Sequence, residues 1–172
     1  MDLALVDFDH TVTTCDTYSR FLRRVATPTQ QARAKWSIGP WLAGYKLRVL
    51  SAEALRIRAT TGVLRPAMME RIGWHQARGD TVVIVSASLD AYMRPWCAAH
   101  GLALICNHLE AVDGRLTGRY LGGDRGRHKA GDILARYHLA SFDRVHAYGD
   151  SREDRAMLAL AQERWWRGDR VA

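Results

Sequence analysis

The chain predicts an α/β fold built on a parallel sheet, and three stretches carry that expectation. Leu3-Ala4-Leu5-Val6, Thr81-Val82-Val83-Ile84-Val85 and the segment from Arg144 to Tyr148 are short and mostly apolar. Runs of this kind suit strands buried on both faces. Each leads into small, hydroxylic or acidic residues: Asp7 and Asp9, Ser86 and Ser88, Asp150 and Asp154. Helix-like segments lie between them, and strands alternating with helices give a parallel sheet whose ligands sit beyond the carboxyl ends of the strands.

A chain of 172 residues is one domain of ordinary size with room for a small insertion, and 48% apolar residues excludes a disordered chain. Cys15, Cys97 and Cys106 form no CxxC pair, so neither a zinc site nor a disulfide framework is expected, which fits a reducing cytoplasm. The N-terminus lacks the basic-then-apolar pattern of a signal peptide, and no stretch of about 18 apolar residues predicts a membrane span. The expected location is therefore the cytoplasm, with peripheral contact at the inner face of the membrane left open. The net charge of +7 comes from Arg scattered through the chain, with only Lys35, Lys46 and Lys129 as lysines. No dense basic run or nucleic-acid motif is present, so no nucleic-acid partner is expected. Affinity for anionic substrates or an anionic membrane surface fits this charge, and so does Arg on solvated faces.

The elements follow in order. After the first strand, Thr13 to Thr27 reads as a helix with Tyr18, Phe21, Leu22 and Val25 on one face, broken at Thr27-Pro28-Thr29. From Lys35 to Leu50, Ile38, Trp41, Leu42, Tyr45 and Val49 recur at helical spacing beside Lys46 and Arg48. That segment suits either a membrane interface, where Trp and cations are favoured, or packing on its own domain. A short helix from Ser51 to about Thr60 follows. Pro66 suits the first turn of a helix running to Arg78 and closed by Gly79. After the second strand, a helix from Leu89 to His100 is expected to kink at Pro95. Leu102 to Cys106 reads as a strand, and Asp113-Gly114 joins Leu109–Val112 to Arg115–Tyr120 as a hairpin. Lys129 begins a helix to about Leu139, Arg152 one to Ala161, and Arg164 to Arg167 a final edge strand.

The acids carry the chemistry. Two carboxylates one residue apart would share a face if the strand continued through them, and their repulsion calls for a cation. A hard ion such as Mg²⁺ prefers oxygen ligands and commonly takes a substrate phosphate as well. A strand ending in Ser86-Ala87-Ser88 suits a phosphate cradle, and equally a serine helix cap, the reading preferred for Ser88.

Taken together, Asp7-Phe8-Asp9-His10-Thr11 as DxDxT, Ser86 in VSAS, Lys129, and Gly149-Asp150-Ser151-Arg152-Glu153-Asp154 as GDSxxD resemble the haloacid dehalogenase superfamily, in the branch that contains phosphoserine phosphatases. The resemblance implies a three-layer Rossmann-like core with a parallel central sheet, residues 1–14 and 65–172. A short helical cap, residues 15–64, would be inserted after the first strand. It implies a Mg²⁺-dependent phosphomonoester hydrolase acting through an aspartyl-phosphate. Asp7 would be the nucleophile and Asp9 the general acid and then base, with a pKa above that of metal-bound Asp7. Ser86 and Lys129 would hold phosphoryl oxygens. Asp7, Asp9 through its carbonyl, Asp150 and Asp154 would hold the metal. Lys129 would also relieve repulsion among the acids, and Thr11 would help position Asp9. His10 stands where relatives commonly carry a small residue such as Gly. The Trp-rich cap, the DGRLTG hairpin and YGDSREDRAMLALA look most like the subgroup of bacterial phosphatidylglycerophosphate phosphatases. That implies a lipid or amphiphilic phosphate, with a small soluble ester such as phosphoserine as the alternative. A non-catalytic member of the fold that binds an anionic surface is the reading from a different class.

Overall fold

β1 (Leu3–Val6) is the axis of the sheet, flanked in parallel by β2 (Thr81–Leu89) on one side and β6 (Val145–Gly149) on the other. The computed structural model describes residues 1–20, 63–112 and 115–172. The sheet has six strands in the order β3-β2-β1-β6-β7-β8, with β3 at Ala103–Asn107, β7 at Glu163–Trp166 and β8 at Asp169–Val171. All neighbours are parallel except β7 and β8. The α/β expectation with a parallel central sheet is met.

Period-2 alternation splits the core into two layers. Ala4 and Val6, with Val82 and Ile84, face α1 (Pro66–Ala77) and α2 (Asp90–Ala99), where Ile72, Tyr92, Met93 and Trp96 are buried. Leu3 and Leu5, with Val83 and Val85, face α3 (Lys129–Arg136) and α4 (Arg155–Leu158), where Ile133, Met157 and Leu158 are buried. Each such aliphatic side chain contributes about 1.5–3 kcal/mol by leaving water. The sheet is therefore held from both sides, and its carboxyl edge is a rigid platform.

Several elements differ from the sequence reading. β1 stops at Val6, so Asp7 and Asp9 lie beyond it in irregular backbone and their side chains diverge. β2 continues through Ser86 and Ser88 to Leu89, which is the residue preceding α2; Ser88 is thus not a helix cap. The helix expected from Thr13 begins at residue 17, because Thr13 bridges Leu64 and Asp16 caps the turn by accepting from the Ser19 backbone N–H at 3.0 Å. α2 is assigned without a break across Pro95. α3 ends at Arg136, Tyr137 being extended, and a 3₁₀ turn at Leu139–Ser141 follows. The segment from Arg152 splits into a 3₁₀ turn, Arg152–Asp154, and α4. β7 is interior, because β8 folds back over a two-residue turn in which Arg167 and Gly168 both have positive φ, 55° and 93°. The hairpin strands β4 (Leu109–Val112) and β5 (Arg115–Tyr120) pair antiparallel as expected.

The breaks at residues 27–29, the amphipathic segment 35–50 and the helix at 51–60 lie outside the described residues, as does most of the expected cap. Among the described residues, no helix is long and apolar enough to cross a membrane.

Candidate active site

Three strand ends deliver the acids and hydroxyls to one cleft. The β1 ladder extends one residue past the strand, the Asp7 N–H donating to the Tyr148 carbonyl at 2.9 Å. This directs the Asp7 carboxylate across the carboxyl edge toward α3. There Lys129, at the first position of the helix and 3% exposed, donates to Asp7 Oδ1 at 2.5 Å and Asp154 Oδ1 at 2.6 Å. Burial pushes the Asp7 carboxyl up to about 7, with the Lys129 ammonium pulling the other way. Burial also works against the charge on Lys129, but the two carboxylates outweigh it and raise its pKa. The charge-relieving role expected of Lys129 is thus visible in its contacts.

Asp154 is fully buried and fixed by its own turn. Its Oδ2 accepts from the backbone N–H groups of Asp150 (3.1 Å) and Ser151 (2.9 Å) and from Ser151 Oγ (2.9 Å). Gly149 makes this possible: a Cβ there would lie 2.5 Å from Asp154 Cβ. The glycine of the GDSxxD pattern is therefore required by close approach. Asp150, partly exposed, has its pKa raised by burial and by neighbouring Asp154. One carboxylate oxygen from each of Asp7, Asp150 and Asp154 lies within 4.8 Å of the others. An all-oxygen donor set of three acids with one lysine fits a hard divalent cation.

Asp9 is held apart from this cluster. Its Oδ1 accepts from Thr17 N–H at 2.8 Å and Thr17 Oγ at 2.5 Å, and its Oδ2 from Ser88 Oγ at 2.6 Å. The Thr17 hydroxyl also lies 3.4 Å from the Tyr92 hydroxyl. Burial raises the Asp9 pKa, and the Ser88 and Thr17 donors oppose it. Thr17, Ser88 and Tyr92 are contacts that sequence reading missed, because they come from three separate segments. Thr11, expected to position Asp9, does not do so: its buried hydroxyl has no hydrogen-bond partner among the described residues. His10 adopts φ 60°, the left-handed region that a glycine enters freely, which is a physical reason for a small residue at that position.

Asp7, Asp9, Ser86, Lys129 and Asp150 line one cleft of about 360 Å³, together with His10, Asp16, Tyr18 and Asn107; Asp154 lies beneath them. Ser86 Oγ accepts from the Ser88 N–H at 3.0 Å. Asn107 ties β3 to this edge, donating to the Ala87 carbonyl at 2.6 Å and accepting from the Arg125 N–H at 2.7 Å. The structure thus brings together every residue singled out in the sequence as catalytic, phosphate-binding or metal-binding.

A family model for haloacid dehalogenase-like hydrolases matches residues 4–159. The chain belongs to the haloacid dehalogenase-like hydrolase family. Protein CicA of Caulobacter vibrioides is 32% identical over 197 residues, covering 96% of this chain and 85% of its own. The aligned stretch is longer than the whole chain here, so CicA carries residues without a counterpart. A Bordetella pertussis Tohama I protein described as of unknown function superposes with a TM-score of 0.75 at 24% identity, covering 95% of this chain and 88% of that one. A phosphoserine phosphatase solved as a phospho-aspartyl intermediate analogue superposes with a TM-score of 0.64 at 22% identity, covering 94% and 84%. These two likenesses show a shared fold.

Proposed function

We propose that this hydrolase cleaves phosphate monoesters through an aspartyl-phosphate formed on Asp7. The observation that carries the reading is the division of labour between two acids two residues apart. Asp7 sits in a cationic and acidic cluster at the strand edge, while Asp9 is turned away and held by neutral donors. Separate environments for paired carboxylates are what separate roles require. Asp7 attacks phosphorus in line, forming the Asp7–O–P bond as the bond to the leaving oxygen breaks. Asp9 gives its proton to that oxygen and then takes one from water as the acyl phosphate is hydrolysed. Its raised pKa suits the first of these duties. Ser86 and Lys129, which line the cleft, would hold phosphoryl oxygens. Asp7, Asp150 and Asp154, with the Asp9 carbonyl, would hold Mg²⁺. Bound there, the ion supplies charge neutralisation for the acids and the phosphoryl oxygens.

The substrate reading divides. The aromatic, basic segment 35–50 supports an amphiphilic phosphate such as phosphatidylglycerophosphate, with contact at an anionic membrane surface. The Asp16 carboxylate, which lines the cleft, supports instead a small ester with an ammonium group, such as phosphoserine. Phosphate release in Mg²⁺, comparing phosphatidylglycerophosphate in mixed micelles with phosphoserine, separates them, and Asp7→Asn is the control. Preference for the lipid supports the first. No release from either, or from an aryl phosphate, overturns the enzymatic proposal.

A further inference from the structure

A second cavity, about 660 Å³, adjoins the catalytic cleft and shares His10 and Asp150 with it. Its distinguishing feature is positive charge. Arg65, Arg71 and Arg167 all line it, and Asp150 is its only carboxylate among the described residues. Some arginines elsewhere are paired with acids: Arg78 with Asp2 and Asp80, Arg125 with Asp132, Arg144 and Arg170 with Glu163. No ion pair is formed by Arg65, Arg71 or Arg167 among the described residues. They are held by contacts that leave their charge intact. Arg65 Nε donates to the Thr13 carbonyl at 3.0 Å, and Arg167 Nε to the Asp150 carbonyl at 3.1 Å. The Arg71 guanidinium lies over two indoles, 5.4 Å from Trp74 and 5.6 Å from Trp165. The first turn of α1 also faces this cavity through Pro66, Ala67 and Met68, with no acidic residue and no side-chain cap.

Three guanidinium groups share this cavity with a single carboxylate, Asp150, so positive charge is in excess there and an anion relieves it. The planar fork of Arg matches phosphate oxygens two at a time. Because the cavity shares the His10 and Asp150 walls with the catalytic cleft, an anion here can belong to the same molecule as the phosphoryl group at Asp7. We propose that the arginine cavity binds a second phosphate-type anion on the substrate, so that the preferred ester carries one phosphate for cleavage and another that is only held. The inference rests on the phosphatase reading and names the substrate class: bisphosphates, or monoesters whose remaining part contains a phosphodiester.

Binding separates this from turnover. The full chain in Mg²⁺ is titrated calorimetrically with propane-1,3-bisphosphonate and with propylphosphonate, neither of which can be hydrolysed. Two or more charge-assisted hydrogen bonds predict about tenfold or greater preference for the bisphosphonate. Arg71→Ala and Arg167→Ala each bring the ratio toward one, whereas Arg94→Ala, on α2, keeps it. Equal affinity, binding of neither compound, or a ratio unchanged in both cavity variants overturns the proposal. Hydrolysis of p-nitrophenyl phosphate by the same preparation tests the phosphatase reading separately, since its failure leaves the binding ratio readable. Release of phosphate from propane-1,3-diol bisphosphate, compared with a short-chain lipid carrying the same terminal phosphate behind a phosphodiester, then identifies a soluble or a lipid source; preference for either over propyl phosphate supports the site.

Discussion

Buried charge occurs at both ends of the central sheet, and the two arrangements are built on opposite principles. At the amino edge, Asp2 and Asp80 are matched by donors. Asp2 Oδ2 accepts from His146 Nε2 (2.9 Å) and Arg78 (3.2 Å). Asp80 accepts from the Asp2 N–H (3.0 Å), His75 Nδ1 (2.8 Å) and Arg78 Nε (3.2 Å). The second nitrogen of His75 lies 2.9 Å from the Tyr148 hydroxyl, which closes the network. At the carboxyl edge, three carboxylates cluster, two of them paired with one lysine, beside a cleft. The amino edge matches each of its two acids with protein donors, whereas the carboxyl edge carries surplus negative charge that a cation would neutralise. Burial by itself does not mark function; incomplete pairing beside solvent does.

Substitutions should therefore act differently at the two ends. The largest effect is expected from Asp7→Asn, which removes the proposed nucleophile: phosphate release should fall by on the order of a thousandfold or more, with circular dichroism unchanged. Asp80→Asn should leave release within about twofold, because nothing at the amino edge touches the cleft. A comparable loss in both variants would erase the distinction.

Next in size is Lys129→Met, which leaves Asp7 and Asp154 buried without their cation. A loss of about 3–5 kcal/mol in urea unfolding is expected, and millimolar Mg²⁺ should recover part of it. Asp80→Asn should also destabilise, by about 1–3 kcal/mol, but Mg²⁺ should not change that loss.

Acidity should sharpen the contrast, since the pH effects have opposite signs. Burial lowers the His75 pKa, so unfolding takes up a proton there. Stability from this site is present above the ordinary value of about 6.5 and falls as pH drops below it. Asp80, held low by His75 and Arg78 despite burial, adds a further loss as pH falls below about 3.8. Asp7 is raised to about 7, so without Mg²⁺ its contribution declines as pH rises from about 3.8 toward 7. Thermal unfolding from pH 4 to 8 should show His75→Gln flattening the acid limb, and Mg²⁺ lifting the neutral limb only. The smallest effect belongs to His10→Gly: relief of the left-handed backbone, about 1–2 kcal/mol, is partly offset by glycine's entropy. Urea unfolding should show a net gain below about 1 kcal/mol; a marked loss would mean that the imidazole itself is needed.

The catalytic positions were readable because each lies at a fixed offset from an apolar strand. Asp7 follows β1, Asp150 follows β6, and Lys129 is the only lysine in the final third of the chain. What surrounds them was not readable. Ser88 meets Asp9 only through the pairing of β1 with β2, and Thr17 reaches back to it from the start of the next helix. Tyr92 joins through the Thr17 hydroxyl, and no periodicity links the three. Arg65, Arg71 and Arg167 reach one cavity from the lead-in to a helix, its first turns and a β-turn, so in the sequence they are three of many scattered arginines. Ser88 was misassigned because a hydroxyl before a helix resembles a cap, whereas tertiary pairing keeps β2 extended through it. Thr11 was expected to help position Asp9, a task that the Thr17 donors perform.

The turn at Arg167 and Gly168 also bears on the edge of the sheet. Without β8, β7 would present unpaired backbone groups along a strand containing Trp165 and Trp166, an inviting template for a neighbouring molecule. β8 occupies that row with three residues, Asp169, Arg170 and Val171, two of them charged and all exposed. A strand so short and so charged gives an incoming chain little to extend. The fold thus ends its sheet on a surface that discourages edge-to-edge growth.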